Sequence, residues 1–176
     1  MTVLTISIAL LSFLSSFEQS TKNNSVQSRA DTQRIDTSNY AILTFDTAYT
    51  WIFENVKPST LTAIEIEEVE NILKRCVDNY NPYQQLQFDT ISKAHPEYKL
   101  KVEYFIIELS RYRRQYVPVI NSAGQKEVWV NCFCRSSNSN WRKHIVHVHD
   151  GGNCYFSVSI NLSTKTFSRF IVNGNV

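Results

Sequence analysis

The chain has 176 residues, of which 43% are apolar, 12% aromatic and 19% charged, with a formal net charge of +2. This is the balance of an ordinary globular domain; with only four Gly and four Pro it excludes a wholly disordered chain, a coiled coil and a collagen-like or low-complexity segment. A charge of +2 is too small to point to nucleic acid or an anionic membrane as a partner.

Residues 3–17 (VLTISIALLSFLSSF) form an uncharged apolar run. The run is shorter than the about 20 residues an upright spanning helix needs. It matches the apolar region of a secretory signal, with the small residues Ser15 and Ser16 near its end. It departs from that pattern in one respect: no Lys or Arg precedes it, which leaves a buried N-terminal strand or helix as the competing reading. No Cys closes the run, so a lipid-modified terminus is not expected. Residues 1–19 therefore read as a signal peptide, 20–38 as a flexible polar leader and 39–176 as a single domain. This places the domain in the periplasm or outside the cell, with no stable membrane anchor after processing.

Within the domain, residues 40–45 (YAILTF) form a candidate first strand and 47–56 a short helix or second strand, before a break at Lys57-Pro58-Ser59. Thr62 and Glu65 have the spacing of a capping box. Ile66, Val69, Ile72, Leu73, Cys76, Val77 and Tyr80 follow at helical spacing, predicting an amphipathic helix of about five turns that ends at 79–82. Glu65, Glu67, Glu68 and Glu70 precede Lys74 and Arg75, as the helix dipole favours, and read as a solvated face rather than a catalytic pair. Residues 83–97 show no period, and Pro96 marks a turn. Leu100, Val102, Tyr104 and Ile106 alternate like a strand, with a bulge or short helical piece at 105–107.

Strands are then expected at 116–120, with Pro118 at an edge or bulge, at 127–134 (EVWVNCFC), at 144–149 (HIVHVH), at 154–162 and at 166–172. Residues 121–124 (NSAG) and 150–153 (DGGN) read as turns, the second a hairpin turn. The sum is an α+β domain: one long amphipathic helix packed on a curled antiparallel sheet of about four strands.

This order of elements resembles the cystatin-like architecture, although the inhibitor motifs of true cystatins are absent; an inhibitor-like module is implied by architecture alone. The stretches 114–120 (RQYVPVI), 127–134 (EVWVNCFC), 150–156 (DGGNCYF) and 172–174 (VNG) resemble a family of small, uncharacterised exported bacterial proteins. That resemblance implies export and a shared fold, and brings no catalytic residue.

Cys132, Cys134, His144, His147, His149, Asp150 and Cys154 together hold the ingredients of a zinc site. Their spacing is poor, because two cysteines separated by one strand residue lie about 6.6 Å apart along it. A hairpin centred on Ser139 would pair Cys132 with Val146 and Val130 with Val148, and a tight turn would set Phe156 beside Val148 and Val158 beside Val146. Cys132, Cys134, Val128, Val130, Val146 and Val148 then share an apolar core face, and His147 and His149 look the other way; a one-residue slip would reverse this. Four Cys in an exported chain allow three disulfide pairings, and Cys76 on the helix stripe could meet Cys132 or Cys134 beneath it. The local thiol–imidazole pair, Cys154 with His149 or His144, is turned into the core by this register. Glycine-rich phosphate loops and nucleophile elbows are absent. Residues 111–116 (RYRRQY) read as a strand with basic outward residues rather than a base-stacking patch.

The opposite face would carry Trp129, Asn131, Phe133, His147, His149, Tyr155, Ser157, Ser159 and Asn161. It is too aromatic for a solvated face and too polar for a core. Either residues 40–53 cover it, or it binds a ligand through Trp129, His147, His149 and Tyr155. The expected function is an exported non-enzymatic domain that binds a protein or small ligand, with no catalytic residue, metal or cofactor assigned. The alternative is a metal-dependent or thiol enzyme using the cluster between Cys132 and Cys154.

Overall fold

Thr62 takes an extended backbone; its Oγ1 accepts the Glu65 amide at 3.3 Å, and Glu65 Oε2 accepts the Thr62 amide at 2.8 Å. This capping box starts α1, which spans Ala63–Ala94 in the computed structural model. The structure describes residues 37–134 and 140–174, all belonging to a unit that spans Arg34–Val176. The expected signal peptide and nearly all of the leader lie outside the described residues, as does the centre of the 135–143 loop.

The stripe foreseen for α1 is buried: Ile66, Val69, Ile72, Leu73, Cys76 and Val77 all face the sheet. The helix does not end at 79–82. It continues through the exposed Pro82 to Ala94. A mid-helix proline costs about 3 kcal/mol by losing an amide bond and crowding the preceding turn. Tertiary contacts around Pro82 hold the second half. Asn81 exchanges two 2.8 Å hydrogen bonds with the backbone of Ile107, and Phe88 packs edge-on against Phe105. The partner segment, expected as a strand from Leu100, is instead a chain of short 3-10 turns at Pro96–Tyr98, Val102–Tyr104 and Leu109–Arg111.

The sheet has six strands and is mixed, not a four-stranded antiparallel one. β1 (Tyr40–Ile42) runs parallel to β3 (Arg113–Ile120), and β2 (Lys57–Pro58) pairs antiparallel further along β3. β4 (Lys126–Phe133), β5 (Tyr155–Asn161) and β6 (Thr166–Val172) follow as an antiparallel meander. Residues 47–49 form a 3-10 turn rather than a longer helix or strand. Pro118 sits inside β3, in the gap between the β1 and β2 pairings, where its missing amide deprives no partner. Its carbonyl on that side accepts the Ser59 amide at 3.1 Å.

Residues 144–149 form no strand, and 150–153 no hairpin turn: Gly151 takes a left-handed conformation and Gly152–Cys154 a 3-10 turn. The partner of Cys132 in β5 is therefore Phe156, not Val146, and that of Val130 is Val158, not Val148. Both sheet faces are covered. On the inner face Tyr116, Val128, Val130, Cys132, Phe156 and Val158 pack under α1. On the outer face Val117, Val119, Trp129 and Phe133 pack against Ala41, Leu43, Phe45, Ile52 and Phe53 of the N-terminal segment and against Trp141 and Val146. Val146 thus lies across the sheet from the cysteine with which it was paired, and Val148 is exposed.

Glu65 ties α1 to the sheet. Burial pushes its carboxyl up, but the Lys126 ammonium at 2.6 Å and the Thr62 amide and hydroxyl outweigh this, so it titrates below its ordinary value. A depressed carboxyl stabilises the fold above the unfolded value and loses that contribution as pH falls through the folded one. Glu65→Gln is expected to cost about 0.5–1 kcal/mol at neutral pH in urea unfolding. The difference from wild type should close below about pH 4.

Candidate functional site

β3 and β4 place two amides opposite each other on the outer face, Gln115 and Asn131. Gln115 is fully buried and Asn131 nearly so. Gln115 Oε1 accepts from Asn131 Nδ2 at 3.0 Å and from the Val146 amide at 2.9 Å. Gln115 Nε2 donates to the carbonyls of Trp141 and, at 2.7 Å, His144. Asn131 Nδ2 gives its other hydrogen to the Val146 carbonyl at 2.7 Å. Residues 141–146 thus lie over the sheet without joining it, their backbone held by side chains. Trp141 then packs edge-on against Phe133, and the Arg142 guanidinium sits 4.4 Å from the Trp141 ring centre.

The chain leaves this anchor into His147, Val148 and His149, all exposed. The rings of His147 and His149 lie 4.6 Å apart. Trp51 closes over them: its ring is edge-on to Trp129 at 5.4 Å and to His147 at 5.2 Å, yet it remains 53% exposed. Trp51, Trp129, His147, Val148 and Tyr155 line a cleft of about 180 Å³. Tyr155 is held against Gly151, where a Cβ would come within 2.7 Å of the tyrosine ring and where φ is +104°. Asn173 Nδ2 donates to the carbonyls of Val148 at 2.6 Å and Asp150 at 3.2 Å, pinning this turn from the C-terminal side.

Val148 and Tyr155 also border a wider groove of about 450 Å³, floored by Cys134 and Cys154. These two form a disulfide with a Cα–Cα distance of 5.1 Å, and the Cys134 amide donates to the Cys154 carbonyl at 2.9 Å. The bond extends the β4–β5 pairing one residue beyond Phe133 and Tyr155. Cys154 is therefore not a free core thiol.

The sulfur and imidazole cluster is divided by the sheet. Cys132 and Cys76 are buried under α1 as free thiols. Burial pushes Cys76 up to about 12, and Cys132 is also raised by burial, so neither forms a thiolate at neutral pH. His147 and His149 lie beyond the outer face. Among the described residues, no three His, Cys, Asp or Glu side chains gather where they could hold a metal ion.

Of the four residues singled out from sequence, Trp129, His147 and Tyr155 line one cleft, and His149 lies edge-on to His147. Trp129 is 7% exposed and belongs to the outer core, so Trp51 presents the aromatic surface in its place. Sequence reasoning counted Trp51 only as part of a covering segment. Gln115 also went unnoticed, although it is the sole amide in the otherwise apolar run of 115–120, and that was a usable signal. Comparison with protein family models, with curated proteins and with solved structures finds no match for the chain.

Gln115→Ala would orphan the Val146 amide and remove a partner from Asn131, each such loss costing about 1–3 kcal/mol. Hydrogen exchange should show residues 141–149 losing protection while α1 keeps its own. In native protein, a thiol reagent should modify Cys76 and Cys132 only at the rate of global unfolding.

Proposed function

We propose that this is an exported, non-enzymatic binding domain that engages a partner through the aromatic corner of Trp51, His147 and Tyr155, with Trp129 as its floor. The observation that carries the reading is the state of Trp51. A large ring is held edge-on by two aromatic neighbours and still leaves half its surface in water. Pre-ordered, exposed tryptophans of this kind dominate the energetics of protein interfaces. The cleft beside it, about 180 Å³, is smaller than the roughly 300–1,000 Å³ of small-molecule sites. It suits one side chain of a polypeptide partner better than a whole metabolite.

The separation of Cys132 from His147 by the sheet, and the use of Cys134 and Cys154 in a disulfide, favour binding over a metal or thiol enzyme. The same disulfide supports export, since such bonds persist in oxidising compartments.

Trp51→Ala should lower stability by less than about 1 kcal/mol, as expected for a half-exposed side chain. Proteins enriched on the wild-type domain from an extracellular or periplasmic extract should be lost with both Trp51→Ala and His147→Ala. Equal enrichment on all three would remove the proposal. Stoichiometric zinc retained by wild type and released by His147→Ala would replace it with the metal-enzyme reading. Mass spectrometry of the exported product should place its N-terminus after residue 17.

A further inference from the structure

A second hollow opens on another side of Trp51. It encloses about 460 Å³ and is walled by Trp51, Glu54, Asn121, Glu127, Ser159 and Arg169. That size falls within the roughly 300–1,000 Å³ of small-ligand sites. Where the aromatic corner is apolar, this hollow is lined mainly by polar groups.

Its shape comes from a bulge. Ser157 of β5 pairs with Ile171 of β6, but Ser159 pairs with Ser168, so β6 carries one residue too many between them. Arg169 takes up the excess with φ at +51°, a left-handed conformation that long side chains rarely adopt. The bulge directs its guanidinium to the 50–56 stretch, where Nη1 donates to the Ile52 carbonyl at 3.0 Å. Backbone strain at a non-glycine residue marks a position where something other than local propensity has been selected.

Ser159 also lines this hollow, but its Oγ is fully buried and lies out of reach of a ligand. Arg169, Glu54 and Glu127 form no ion pair with one another or with any other described residue. Glu127 receives one hydrogen bond, from Asn121 Nδ2 at 2.6 Å. A guanidinium and two carboxylates therefore border one space with much of their bonding capacity unused, whereas the Asn121 amide is spent on Gln125, Glu127 and the backbone amides of Ala123 and Gln125.

The charge pattern selects the ligand. An anion entering this space meets two carboxylates, and a cation meets the guanidinium. A neutral polyhydroxylated molecule suits both signs, because each of its hydroxyls donates to a carboxylate and accepts from the guanidinium. The Trp51 ring adds an aromatic wall against which the C–H face of a pyranose packs. We propose that this hollow is a binding site for a neutral saccharide, held by Arg169, Glu54 and Glu127 with Trp51 as its stacking wall. The proposal shares only Trp51 with the protein-binding corner and does not depend on it.

The full chain, labelled, is applied to a printed array of neutral and acidic oligosaccharides. The best neutral binder is then titrated calorimetrically as the free glycan, alongside triglycine as a zwitterionic control. At least one neutral glycan should bind, and Glu127→Gln and Arg169→Gly should each weaken it tenfold or more. In Arg169→Gly the relief of the left-handed backbone offsets the lost bond to the Ile52 carbonyl, so its melting temperature should stay close to that of wild type and the loss cannot be ascribed to misfolding. Absence of any neutral glycan, binding of acidic glycans or triglycine alone, or binding that survives Arg169→Gly would overturn the proposal.

Discussion

A primary amide buried in a protein interior is either an anchor or a defect, depending on how many of its hydrogens and lone pairs are engaged. Gln115 is an anchor: its two hydrogens go to backbone carbonyls, and its oxygen takes a backbone amide and the Asn131 side chain. In a low-dielectric setting these bonds are strong, and the alternative of leaving them unmade is costly. The pair does the work of a missing strand. Residues 141–146 cross the outer face with no ladder of their own, and the two amides satisfy them. Trp141 is thereby brought onto Phe133, Val146 into the outer core, and His147 to the edge where Trp51 meets it.

The sheet then acts as a partition. Because both faces are apolar, both need a cover, and the chain supplies two unlike ones. α1 brings a continuous aliphatic stripe to the inner face, fastened by Glu65 to Lys126 and by Glu70, which lies 3.1 Å from Arg114 Nε and accepts from the Tyr116 hydroxyl. The outer cover is assembled from two irregular segments rich in rings. Strand alternation turns Cys132 inward, while the segment anchored on Gln115 and Asn131 carries the imidazoles beyond the outer face, so thiols and imidazoles close in sequence do not meet in space.

How far the sequence spoke depended on whether the information was local. The start of α1, the strands β4 to β6 and the turn at 121–124 were legible because capping and alternation are properties of a few adjacent residues. The end of α1 was not. Pro82 is a strong local stop, but the Asn81–Ile107 and Phe88–Phe105 contacts override it, and both are distant in sequence. HIVHVH at 144–149 alternates like a strand, yet the backbone groups of His144 and Val146 are spent on Gln115 and Asn131. The register drawn for Cys132 named the wrong partner and still put it on the right face, because facing depends on parity along the strand and not on which strand lies beside it. Trp51 was illegible as a surface ring: its segment has no period, and only the fold shows which of its aromatics go inward.

The N-terminal segment is woven into the edge of the sheet rather than laid over it. β1 runs alongside β3, and Arg142 grips the carbonyls of Ser38 at 2.6 Å and Tyr40 at 3.0 Å with both arms of its guanidinium. Any protease that trims this protein therefore faces a fixed downstream limit. A cut beyond Tyr40 would break the pairing of β1 with β3, release the hold of Arg142 and loosen Leu43 and Phe45 from the outer core.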